Sequence, residues 1–159
     1  MNLSLYKPNS KVTGCAFQFK LGQNKNGDKT VYVSAIQQAS WNENTKTGSF
    51  SENAKNPEKN LNIKLNDNEM GGLLYAIRQY KEFSAFHTFE DNKTQISFKP
   101  YKKQNGTDAF SFSISRNGNQ KFGIGVEMGE AETLSEFLKF CLVQTFSSRT
   151  NSSNSTKQE

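Results

Sequence analysis

Residues 109–146, "AFSFSISRNGNQKFGIGVEMGEAETLSEFLKFCLVQTF", decide the architecture of this chain. Phe110, Phe112 and Ile114 alternate with serines, and Phe122, Ile124, Val126 and Met128 alternate with Lys121, Gly123, Gly125 and Glu127. A period of two puts each apolar set on one face of a strand. Asn117-Gly118 lies between the two runs, and Asn-Gly in that setting is the strongest short-range signal for a hairpin. The period then changes. Leu134, Phe137, Leu138, Cys141 and Leu142 recur at three and four, which is the stripe of an amphipathic helix, and Glu130, Glu132 and Glu136 fall early in it, where the macrodipole favours acids. An antiparallel hairpin therefore feeds a helix that covers it.

Working outward, the same grammar returns. "TQISFKPYKK", residues 94–103, gives Ile96 and Phe98 to a core and Gln95, Ser97, Lys99 and Tyr101 to the opposite face, with Asn105-Gly106 as a second hairpin signal. "TGCAFQFKL" offers Cys15, Phe17, Phe19 and Leu21 to one side. "KTVYVSAIQQA" is β-rich from Thr30 to Ile36, with Tyr32, Ser34 and Ile36 sharing a face. "NLNIKL" sets Leu61, Ile63 and Leu65 against Asn60, Asn62 and Lys64. A helix follows, capped by Asp67 or Asn68, with Met70, Leu73, Leu74 and Ile77 as its stripe. Gly71 and Gly72 cost it propensity and point to close packing on a sheet. "KEFSAFHTFEDNK" joins the halves, with room for one more strand before a turn at Asp91-Asn92. The expectation is one domain over 1–146, built as an internal repeat of about 1–82 and 83–146. Residues 147–159 lack a hydrophobic pattern and are expected to be a disordered tail.

A chain of 159 residues can bury one good core, and although hydrophobic residues are 33% of it, Phe alone supplies 13 positions. Net charge is +5 and the pI about 9.2, which favours an anionic partner. The charge is unevenly spread. Lys93 to Lys121 holds six basic residues against Asp108, and Met1 to Lys64 holds nine lysines against four acids, while both helical stretches are net acidic. Basic sheets with acidic helices are the footprint of a nucleic-acid-binding sheet whose helices cover the other face.

Enzyme chemistry finds little support. His87 is the single histidine, no metal-ligand spacing or phosphate-loop glycine pattern occurs, and neither a cofactor nor a metal is expected. Cys15 and Cys141 lie in apolar stretches and read as buried thiols. No apolar run has the length of a membrane span or the form of a signal peptide, so an intracellular protein of cytoplasm or nucleoid is expected. Trp41 either covers a core edge or offers a platform for base stacking.

Residues 60–146 together resemble the Whirly family of single-stranded-DNA-binding proteins and, more broadly, the PC4-like fold: a strand, a helix over Asn66 to Tyr80, the Phe86-His87 pair, a hairpin from Thr94 to Arg116, a last strand from Lys121 to Met128 and a helix. The likeness extends loosely through Val31 to Trp41. "CAFQFKLG" supplies Lys20 and Gly22 without the lysine-glycine-lysine motif of the plant proteins. The resemblance implies an α+β fold of two β-β-β-β-α units, a homotetramer with helices at its centre, and sequence-independent binding of single-stranded DNA in replication, repair, recombination or transcription. An RNA-binding protein of the same fold and a non-enzymatic structural oligomer are the alternatives. The expected contact residues are Lys99, Lys102 and Lys103 for phosphates, Tyr101 and Trp41 for stacking, and Lys20, Lys64, Arg116 and Lys121 as extensions of the track on neighbouring strands.

Overall fold

A computed structural model describes the backbone of residues 1–155 and the side chains through residue 149. The elements run β1 (Asn2–Lys7), β2 (Cys15–Gln23), β3 (Lys29–Gln37), β4 (Ser40–Asn42), β5 (Thr47–Ser49), β6 (Asn60–Leu65), α1 (Asp67–Gln79), β7 (Phe83–Phe89), β8 (Asn92–Lys102), β9 (Asp108–Arg116), β10 (Gln120–Glu127) and α2 (Met128–Ser155). Strands β1-β2-β3-β6 form one four-stranded antiparallel meander, sheet 1, and β7-β8-β9-β10 form another, sheet 2. Each meander ends in a helix, so the repeat of four strands and a helix is realised twice. The short β4–β5 hairpin is an insertion in the first unit.

The apolar faces read from the alternation meet each other. Phe17 and Phe19 of sheet 1 pack on Phe112 of sheet 2 with ring centroids 5.0 and 5.9 Å apart, and Phe98 stacks on Phe110 at 4.5 Å. Met70, Leu73, Leu134, Leu138 and Cys141 bring both helices into the same core. Gly72 shows why α1 tolerates glycine, since a β-carbon there would come within 2.5 Å of the Phe83 ring. Asn117 and Gly118 both take the left-handed conformation in the β9–β10 turn, as a type I′ hairpin requires.

Two readings are corrected. The cap of α1 is Asn66, not Asp67 or Asn68: its side chain accepts from the Glu69 amide while the Glu69 carboxylate accepts from the Asn66 amide, a reciprocal capping box. Strand β1, "NLSLYK", pairs along its whole length with β2 and completes the four strands expected of the first unit. The chain from Ser147, expected to be unstructured, remains helical to Ser155, and residues 156–159 lie outside the described residues. Contacts with the rest of the chain anchor the first turn of this extension. The Lys29 amide donates to the Ser148 hydroxyl and Arg149 pairs with Asp67 at the start of α1, while Ser147 and Ser148 donate back to helical carbonyls.

Candidate nucleic-acid interface

With the inner faces in the core, each sheet turns its other face outward, and the strand register arranges that face in rows. On sheet 1, Asn2, Lys20, Tyr32 and Lys64 stand opposite one another across all four strands. The next row is Ser4, Gln18, Ser34 and Asn62, and the one beyond is Tyr6, Ala16, Ile36 and Asn60. Cationic, polar and largely apolar rows thus succeed one another along the strands. Tyr32 leans over Gly22, where a β-carbon would lie 3.2 Å from its ring. The glycine lets the phenol lie along the sheet, between two lysines.

Sheet 2 repeats the idea with different spacing. Its outer rows are Phe86, Gln95, Ser115 and Lys121, then Ser84, Ser97, Ser113 and Gly123, then Lys99, Ser111 and Gly125, then Tyr101, Ala109 and Glu127. Tyr101 lies across β9 toward Gly125, so the bare outer side of β10 is partly filled by its ring. Phe86 is 60% exposed at the β7 edge of this face.

Charge pairing separates the lysines expected to bind. Lys102 lies 2.7 Å from Asp108, Lys103 lies 2.5 Å from Glu127, and Lys99 is within 3.9 Å of Glu82. The hydrogen bonds within the first two pairs hold both carboxyls below their ordinary range and raise both ammonium groups. Lys20, Lys64 and Lys121 form no ion pair with any described residue. Among the lysines expected to bind, those without an ion pair therefore sit on the middle of sheet 1 and the β10 edge of sheet 2, away from the end of β8.

Two expected placements change. Lys20 and Lys64 belong to sheet 1, so they do not continue a track on strands beside β8. Arg116 points inward rather than outward, because it has the parity of Ile114: its Nε donates to Thr94 Oγ1 and its Nη2 to the Asn62 carbonyl, tying the two sheets together. It nevertheless shares a small cavity with Lys64, His87 and Phe89 at the seam between the sheets. Trp41 lies on the β4–β5 hairpin, half-buried, and its shielded indole N–H meets no acceptor among the described residues. His87 Nε2 lies 2.5 Å from Glu69 Oε1, so the lone histidine is bound to the capping box of α1. No group of three or more metal-ligating side chains occurs among the described residues, and no described helix is long and apolar enough to cross a membrane.

The alternating pattern missed Tyr6 and Phe50. A cavity of about 480 Å³ opens on the outer side of sheet 1, floored by Ala16 and Ile36 and walled by Tyr6 and Phe50. Tyr6 and Ile36 share a row through Ala16, a signal that was available once β1 was taken as a strand.

No protein-family model matches the chain, and no curated protein matches it in sequence. Solved structures do. WHY3 from Arabidopsis thaliana aligns over 100% of this chain and 97% of its own, with a TM-score of 0.61 and 15% identity. The plant transcriptional regulator PBF-2 aligns over 99% of this chain and 88% of its own, with a TM-score of 0.59 and 15% identity. The chain has the Whirly/PC4-like fold.

Proposed function

We propose that this protein binds single-stranded DNA without sequence preference, as a homotetramer. The observation that carries the reading is the row Lys20–Tyr32–Lys64: two unpaired cations flank an aromatic ring on an open sheet face. Phosphates are met by point charges and bases by a ring, and neither contact reads sequence. Lys121 and Phe86 offer the same two chemistries at opposite ends of one row on sheet 2. The shared fold with a plant transcriptional regulator agrees with a role on nucleic acid.

Assembly is supported by the helices. Phe140 and Val143 on α2 and Tyr75 on α1 are exposed, which is unusual for large apolar side chains placed one turn apart on a helix. Copies of the chain joined by these faces leave both sheets turned outward for the strand. The test is a fluorescence-anisotropy titration of oligo-dT, oligo-rU and duplex DNA at several salt concentrations. Oligo-dT should bind more tightly than the duplex, whose stacked bases cannot reach the rings, and binding should weaken steeply with salt. Equal, salt-insensitive binding of all three ligands would overturn the reading.

A further inference from the structure

The outer face of sheet 1 is graded, and the gradient ends in a cavity. From the Lys20–Tyr32–Lys64 row, each step of two residues along the strands advances about 6.8 Å. The first step reaches Gln18, Ser34 and Asn62, and the second reaches Tyr6, Ala16 and Ile36. A nucleotide has the same succession: an anionic phosphate, a polar sugar, then a flat base with apolar faces and a hydrogen-bonding rim.

We infer that the cavity between Tyr6 and Phe50 receives bases of the strand whose phosphates lie on the Lys20–Lys64 row, so that single-stranded nucleic acid crosses sheet 1 with its bases toward the β4–β5 hairpin. This rests on the single-strand reading above and adds the side on which the bases lie. The cavity, about 480 Å³, is of a size and apolar character typical of small-molecule sites. Tyr6 is 57% exposed and tilted 43° to Phe50 with centroids 5.7 Å apart, so one ring presents a free face while the other backs it. Gln18, Ser49 and Ser51 place polar groups at the margin, and no carboxylate among the described residues lines the cavity. Charge complementarity points to the occupant: the rows that lead to the cavity along the strands are cationic and then polar.

The walls are held in place before any ligand arrives. Buried Gln38 accepts from the Asn9 and Gly14 amides and donates to the Asn9 and Ser40 carbonyls, so one side chain joins the β1–β2 turn to the hairpin. Gly48 allows that contact, because a β-carbon there would fall 2.5 Å from Pro8 Cβ and 2.9 Å from Gln38 Nε2. The hairpin can thus seat against the turn and keep the buried Phe50 ring in the wall behind Tyr6.

The experiment compares an oligo-dT with an abasic oligonucleotide of equal length, titrated against the wild-type protein, Tyr6→Ser, Phe50→Ala and Lys20→Ala/Lys64→Ala. Tyr6 is exposed, so Tyr6→Ser keeps the test valid if Phe50→Ala disturbs folding. The wild type is expected to prefer oligo-dT by about tenfold or more, and that preference should fall several-fold in Tyr6→Ser and Phe50→Ala, the remainder coming from the base that stacks on Tyr32, whereas the lysine variant should weaken both ligands. A 5-iodouracil oligonucleotide should photocrosslink to Tyr6 or Phe50. Two results overturn the inference: the wild type binds the two ligands equally, or the preference survives undiminished in Tyr6→Ser; if that variant also changes the oligomeric state, the cavity belongs to a second copy of the chain. Failure of the wild type to bind oligo-dT at all would instead bring down the single-strand reading itself.

Discussion

Lys20 and Lys64 are the two direct cross-strand neighbours of Tyr32, one from β2 and one from β6, whereas Lys103 at the end of β8 sits 2.5 Å from Glu127. Like charges on one sheet face repel each other, so folding does not favour the two lysines there. A carboxylate opposite a lysine cancels the field that a phosphate would feel. The same residue type therefore has opposite prospects in the middle of sheet 1 and at the end of β8.

The core predicts its own sensitivity. Phe112 is fully buried and touches Phe17, Phe19 and Phe98, so it joins the two sheets. Phe112→Ala should lower the unfolding free energy by about 3–5 kcal/mol, measured by chemical denaturation. A loss below about 1 kcal/mol would mean that the sheets do not share this core.

Much of this was legible in advance, and the reasons are physical. Strands β2, β3, β6, β8, β9 and β10 bury one face and expose the other, so a period of two identifies them, and Asn117-Gly118 fixes one register by its turn geometry. Strand β1 was illegible because Leu3 and Leu5 make too short an alternation beside Pro8. Pairing across the sheets was also out of reach. Glu127 is 24 residues from Lys103, and only the meander brings them together. Arg116 follows the parity of Ile114, which was readable, but its target, the Asn62 carbonyl, lies in the other unit.

Both thiols are buried, and burial pushes Cys141 up to about 11 and raises Cys15 as well. An aromatic disulfide reagent near neutral pH should therefore react with neither in the folded protein and with both after denaturation. Rapid reaction of one thiol under native conditions would contradict its placement in the core.

The paired carboxyls of Asp108 and Glu127 sit below their ordinary values of 3.8 and 4.5, held there first by the hydrogen bonds from Lys102 and Lys103. A depressed carboxyl adds stability above its unfolded value, and that stability is lost as pH falls through the folded one. Glu127→Gln should differ from the wild type in melting temperature by a small, constant amount from neutral pH down to about pH 5, and the curves should converge toward about pH 3. A difference that grows on acidification would refute the pairing.

The proposed assembly rests on the exposed side of α2. Phe140→Ser/Val143→Ser should convert the proposed tetramer to a smaller species by light scattering without loss of secondary structure, since neither side chain belongs to the buried core. A wild-type monomer at micromolar concentration would remove the homotetramer from the account.

The most direct measurement is the salt dependence of oligo-dT affinity in two double variants, Lys20→Ala/Lys64→Ala and Lys102→Ala/Lys103→Ala. Each phosphate neutralised on a single strand contributes about 0.7 to the slope of log affinity against log salt. Loss of both sheet 1 lysines should flatten the slope by about 1.4 and weaken binding, while loss of the two ion-paired lysines should change the slope by less than half of that. A slope untouched by Lys20→Ala/Lys64→Ala and flattened by Lys102→Ala/Lys103→Ala would contradict the account, placing the strand at the end of β8 instead of across sheet 1.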